Sequence, residues 1–144
     1  MNSKIAIIGS GPTGIYTLKG LIASSTPFDI TIFESENEPG KGTPYHPDLN
    51  DRAMLSNIAS VELPPITETL VDWLRRQSDE DLQRLGVERS LISDREFYPR
   101  VVLGEYLQAQ FGRLVEAGRK NGHGVEVKAA HRVVDIELRR EDIR

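Results

Sequence analysis

Lys4-Ile5-Ala6-Ile7-Ile8-Gly9-Ser10-Gly11-Pro12-Thr13-Gly14 opens the chain, an apolar helical pattern follows, and Ile30-Thr31-Ile32-Phe33-Glu34 comes next. Ile-Ala-Ile-Ile has no polar alternate face, so residues 4 to 9 read as a fully buried parallel strand. The run enters G-x-G-x-x-G, and Ile15, Leu18, Leu21 and Ile22 lie at helical spacing over residues 12 to 24, where Ser24-Ser25-Thr26-Pro27 stops the helix. A second β-rich run, 29 to 34, ends on an acid about twenty residues after the last glycine, as a dinucleotide-binding βαβ unit requires. A right-handed crossover sets the two strands side by side, which brings Gly9 and Glu34 to one edge of the sheet.

Each position in the stretch has a physical task. Gly9 makes the tight turn off the strand, Gly11 admits a pyrophosphate close to the backbone, and Gly14 lets helix and sheet approach. Pro12 suits the first helical turn, because the N–H it lacks would be unpaired there anyway. Free amides around Thr13 and the positive end of the helix dipole then face the diphosphate. Glu34 is placed to accept both hydroxyls of an adenosine ribose, and its charge would repel a 2′-phosphate, which disfavours NADP in this half. A glycine-rich turn with an incidental glutamate is the competing reading, and the complete strand, helix, strand and acid series argues against it.

The chain has 144 residues, one domain's worth, with a net charge of −4 and no sustained basic block. Nucleic acid and anionic membrane surfaces are therefore poor partners. Cysteine is absent, which excludes disulfides, thiolate metal sites and redox-active cysteine pairs. The first apolar run is too short for a signal peptide or a membrane span, and a cytosolic location is expected. His46, His123 and His131 have no metal-ligand spacing, and no serine sits in a G-x-S-x-G elbow.

After Glu34, the stretch Ser35 to Pro47 is rich in turn formers and unsuited to regular structure. Starting beside the acid, it lies near the diphosphate, where Gly40 and Gly42 let backbone amides approach a ligand. For Lys41 alone, a plain surface turn is the simpler account. Pro64-Pro65 forbids helix, and Thr67 reads as the N-cap of a helix through Leu70-Val71-Asp72-Trp73-Leu74, with Glu68 in its first turn. Trp73 reads as packing, and Asp79 to Gly86 as a short helix. Pro99 to Gly118 is a long helix with Val102, Leu103, Tyr106, Leu107, Phe111 and Leu114 inward. Arg100 at its start is explained by a positioned anion or by solvent exposure. Two β patterns, 125 to 129 and 133 to 138, close the chain.

Gly9-Ser10-Gly11-Pro12-Thr13-Gly14-Ile15-Tyr16, Phe33-Glu34, Gly40-Lys41-Gly42-Thr43-Pro44-Tyr45, Leu55-Ser56-Asn57-Ile58-Ala59, Trp73-Leu74, Phe97-Tyr98-Pro99-Arg100 and Gly104-Glu105-Tyr106-Leu107 occur in that order. The series resembles the N-terminal part of the FAD-NAD(P)-binding flavoproteins, related to flavin-dependent monooxygenases and to FAD domains of the glutathione-reductase type. The resemblance implies an α/β, Rossmann-like, three-layer domain with a parallel sheet over residues 1 to 144, an insertion at about 45 to 98, and FAD as cofactor. It implies FAD contacts from Gly9 to Gly14, Glu34, Ser35, Lys41, Gly42, Thr43 and Arg100, with Ser56 and Asn57 near the flavin ring and backbone at Arg132 and Val133 along the adenine edge. For Ser56 and Asn57 a local turn or cap explains the residues equally well. The strand after the long helix is expected on either side, next to strand one or next to strand two. A second G-x-G-x-x-G, which holds NAD(P)H in such proteins, is missing here, so the expectation is an incomplete domain, the N-terminal fragment of a longer flavoprotein or one completed by a second polypeptide. An NAD-binding dehydrogenase domain and a non-catalytic cofactor-binding or interaction module remain the alternatives.

Overall fold

The computed structural model describes residues 1–138. Three parallel strands, β1 (Ser3–Ile8), β2 (Phe28–Phe33) and β3 (Gly124–Lys128), pair in the order β1-β2-β3. Ile5 lies opposite Ile30, which lies opposite Val125. The third strand therefore joins beside the second, one of the two placements expected. Strand alternation divides the residues by face: Ile7, Ile30, Ile32 and Val125 are buried, whereas Lys4, Ala6, Ile8 and Glu126 are exposed.

Helices α1 (Pro12–Ile22) and α4 (Arg100–Lys120) cover the buried face. Ile15 and Leu18 of α1 and Val102, Tyr106 and Leu107 of α4 are all but inaccessible, at the spacing that puts residues on one side of a helix. Gly118 lets the helices and sheet close up, since a β-carbon there would press on Ile22 and Val125 at 2.9 Å. Among the described residues, the opposite face of the sheet carries no helix, so two of the three expected layers are present.

The insertion between β2 and α4 holds α2 (Leu70–Arg75) and α3 (Asp79–Leu85), with short 3-10 turns at Thr43–Tyr45, Ser60–Glu62 and Arg89–Leu91. Trp73 packs edge-to-face on Tyr106 at 5.8 Å between ring centres. Gln110, fully buried on α4, accepts from the amide and hydroxyl of Thr67 and donates to Glu68. Tyr106 donates its hydroxyl to the Glu68 carbonyl at 2.7 Å, and α1 is tied to the insertion by Tyr16 on the Pro64 carbonyl and Lys19 on that of Pro65.

Three sequence expectations are corrected. β1 is buried on one face only, with Ala6 and Ile8 exposed on the other, and not on both as its unbroken apolar run suggests. The N-cap of α2 is Thr69, whose side chain accepts from the Asp72 amide, and not Thr67, whose hydroxyl is engaged by Gln110. Residues 133 to 138 form no strand, because after Lys128 the chain turns at Ala130, with φ +55°, and crosses the end of β2 instead of running along it. Val134, Ile136 and Leu138, the apolar half of that alternation, are exposed.

Candidate functional site

At the carboxyl ends of β1 and β2, a cleft of about 710 Å³ lies between the turn at Gly9 to Gly14, the acid ending β2, and the loop running to Leu49. In an open parallel sheet this is where ligands are taken. Gly9 has φ +91°, the turn the sequence demanded, and its amide donates to the Phe33 carbonyl at 2.8 Å, which fixes the turn to the next strand. Any side chain on Gly14 would run into the Gly9 carbonyl, so helix α1 starts hard against the turn. Pro12 is its first residue, and the amides of Thr13 and Gly14 have no acceptor within the helix. Gly11, Pro12, Thr13 and Gly14 all line the cleft.

Glu34 faces them and is only 8 % exposed. Its Oε2 accepts from the Ser10 amide at 2.9 Å and the Ser10 hydroxyl at 2.6 Å, and its Oε1 accepts from the Glu36 amide at 3.1 Å and the Ser35 hydroxyl at 3.2 Å. Burial alone would push the Glu34 carboxyl up, but the bonds from Ser10, Glu36 and Ser35 outweigh it, and its pKa lies below the ordinary value. Ser10, fully buried, also accepts from the Gly40 amide at 2.8 Å. One hydroxyl thereby joins the glycine-rich turn, the acid and the following loop.

That loop is seated on α4. Gly42 meets Gly11 on one side, while on the other Gly40 lies against Gln108 and Gly104 leaves room for the Tyr45 carbonyl. Lys41 points away from the cleft: it is 5 % exposed, with its Nζ 2.8 Å from Glu38 and 3.3 Å from Glu105. Burial works against its charge, yet these carboxylates more than offset that, and the Lys41 pKa stands above the ordinary value. Gly42, Thr43 and Ser35 line the cleft, as do Tyr45 and His46 of the loop expected near a diphosphate but not singled out in it, and Asp48 and Leu49 beyond that loop, which the sequence reading passed over. The signal for them was their position directly after Gly40 to Thr43, with prolines at 44 and 47 bending the loop back.

The other sequence candidates lie elsewhere. Ser56 is buried, its hydroxyl donating to the Ile58 carbonyl at 2.7 Å, while Asn57 is exposed, and neither lines the cleft. The Arg100 amide donates to the Met54 carbonyl, and its side chain is half-buried outside the cleft wall. Arg132 and Val133 border a second, mostly apolar hollow of about 440 Å³ with Ala6, Ile8 and Phe33. Ile8 borders both spaces. The return of the chain to this position is fixed by the His131 amide on the Glu34 carbonyl at 2.8 Å and the Ala130 amide on that of Glu36 at 2.9 Å. Among the described residues no helix is long and apolar enough to cross a membrane, and no group of metal-ligating side chains gathers.

Comparison with known proteins agrees with this geometry. The protein YdhS of Escherichia coli (strain K12), uncharacterized by its name, is 48% identical over 135 residues, covering 94% of this chain and 25% of its own length. The chain thus spans about a quarter of that relative. A sequence model of a family described as FAD-NAD(P)-binding matches residues 6–143, nearly the whole chain, and the chain belongs to that FAD-NAD(P)-binding family.

Proposed function

We propose that this chain is the FAD-binding part of an FAD- and NAD(P)-dependent oxidoreductase and takes the adenosine diphosphate half of FAD in the cleft at the head of α1. The observation that carries the reading is the apposition across one cleft of the open first turn of α1 and the buried carboxylate of Glu34. Amides aimed at a diphosphate and an acid aimed at a sugar are complementary to the two ends of one adenosine diphosphate. Gly9, Gly11, Pro12, Thr13 and Gly14 hold the diphosphate, and Gly42 and Thr43 close over it. Glu34 meets the ribose, with Ser35 beside it, and the apolar hollow by Arg132 and Val133, which shares Ile8 with the cleft, takes the adenine. Ser56, Asn57 and Arg100 do not line this cleft and take no part in holding the adenosine diphosphate half.

FAD is favoured over NAD because the loop from Gly40 to Tyr45, which walls the cleft beside the glycine-rich turn, and the long insertion before α4 suit a bulky flavin better than a nicotinamide half. When bound, a flavin supplies the redox chemistry, and the protein supplies binding, orientation and exclusion of water. Hydride delivery from a nicotinamide falls to another part of a longer protein or to a second polypeptide, and the location of the whole is cytosolic. The test is a visible spectrum of the purified chain with FAD added and excess removed. Retained absorbance near that of oxidised flavin, lost in Gly11→Ala with the fold intact by circular dichroism, supports the reading. NAD displacing FAD at equal concentration favours the dehydrogenase alternative, and binding of neither overturns the reading.

A further inference from the structure

An acid that is to grip both hydroxyls of a ribose must have acceptor capacity to spare, and Glu34 has little. A carboxylate offers about four lone-pair positions, two on each oxygen. In Glu34 Oε2 is taken by the amide and hydroxyl of Ser10, and Oε1 by the Glu36 amide and the Ser35 hydroxyl. These four donors differ in how easily they are displaced. Ser10 is fully buried, and its hydroxyl is itself held by the Gly40 amide, so no ligand reaches or turns it. The Glu36 amide is fixed by the backbone. Ser35 alone is an exposed side chain at the longest of the four distances, and its hydroxyl already lies 3.5 Å from a second acceptor, Glu36 Oε1.

We propose that Glu34 takes a single ribose hydroxyl, at Oε1, in exchange for the hydroxyl of Ser35, and that Ser10 enforces this by holding Oε2. Ser10 is then a positioning residue, and Ser35 a side chain that the sugar moves aside. The inference rests on the cleft being an adenosine diphosphate site.

The experiment titrates the chain with FAD and with FAD carrying 2′-deoxyadenosine or 3′-deoxyadenosine, followed by flavin fluorescence. One analogue binds on the order of tenfold more weakly than FAD, the loss of one hydrogen bond to a charged group, and the other within about twofold. In Ser10→Ala, Oε2 is opened, and both analogues become weaker than FAD. In Ser35→Ala, on the surface and harmless to folding, FAD binds a few-fold tighter and the one-sided pattern remains. Equal weakening of both analogues on the unaltered chain means a two-point grip and overturns the proposal, as does indifference to both. A one-sided pattern that survives Ser10→Ala, or FAD binding that does not tighten in Ser35→Ala, overturns it too. If FAD itself fails to bind the unaltered chain, the cofactor reading falls and takes this inference with it.

Discussion

The Cα of Gly42 stands 3.3 Å from the point that a β-carbon on Gly11 would occupy, and the Cα of Gly11 stands 3.0 Å from the corresponding point on Gly42. The two residues hold the glycine-rich turn and the loop above it at the separation of two bare backbones. Gly11→Ala must push that loop outward by a few tenths of an ångström, which leaves the core untouched. FAD affinity falls at least tenfold with thermal stability within about 1 kcal/mol of the parent, read by flavin titration and thermal melting. Gly42→Ala meets the same contact at a φ of +75° and costs about 1–2 kcal/mol in stability besides.

No lysine or arginine lines the cleft among the described residues, whereas Glu34, Glu36, Glu38 and Asp48 all do. A diphosphate entering it meets amide dipoles at close range and carboxylates at longer range, and salt screens the long-range part more. FAD affinity should rise, by about two- to threefold, between 20 and 200 mM salt. Glu36→Gln should raise it at low salt and flatten the dependence. Affinity that falls steeply with salt would mean that cations hold the phosphates.

Lys41 is spent on the loop and not on the ligand. Lys41→Met removes its pairing with Glu38 and Glu105, but both carboxylates retain access to water, so the loss in stability is about 1 kcal/mol. Its FAD affinity should stay within about threefold of the parent, a much smaller change than in Gly11→Ala. The raised Lys41 pKa has a sign: its stabilisation is complete below the ordinary lysine value of 10.5 and is lost as the pH rises through the folded value. Melting curves at alkaline pH should converge for the parent and Lys41→Met.

Glu34 behaves oppositely. Its folded pKa lies below the ordinary 4.5, so its bonds stabilise the fold above that pH and the contribution disappears as the pH falls through the folded value. The difference in melting temperature between the parent and Glu34→Gln should therefore be largest near neutrality and shrink in acid. A constant difference from pH 7 to pH 3 would contradict the charged network around Ser10.

The fingerprint was legible because its grammar is local. Glycines at 9, 11 and 14, proline at 12 and an acid after the second strand each answer a backbone requirement within one βαβ unit. The register of β1 on β2, Ile5 against Ile30 and Ile7 against Ile32, was not legible: the unbroken apolar run of β1 hides that only one of its faces is covered. What escaped depends on distant partners. The resemblance counted Lys41 and Ser10 among the FAD contacts, but nothing local shows that α4 sets Glu105 against Lys41 or that Gly40 and Glu34 close on the Ser10 hydroxyl. Thr67 and Thr69 both have capping chemistry, and Gln110 decides between them by engaging the first. The Thr69-x-x-Asp72 spacing speaks for the second, since a hydroxyl and a carboxylate three residues apart is the pattern of a capping box. Residues 133 to 138 alternate like a strand, but alternation states only which residues share a side and not whether a neighbour is there to pair.

The return of the chain at Ala130 has a consequence for the order in which the molecule becomes competent. Glu34 donates its amide to the Lys128 carbonyl and accepts from the His131 amide, so the backbone under the acid is stapled by a stretch translated well after it. A nascent chain that has released only the G-x-G-x-x-G unit and its acid holds every letter of the fingerprint and lacks the clasp that keeps the acid in place. The clasp on the acid in this sense waits for a segment made well after the residues that spell the fingerprint.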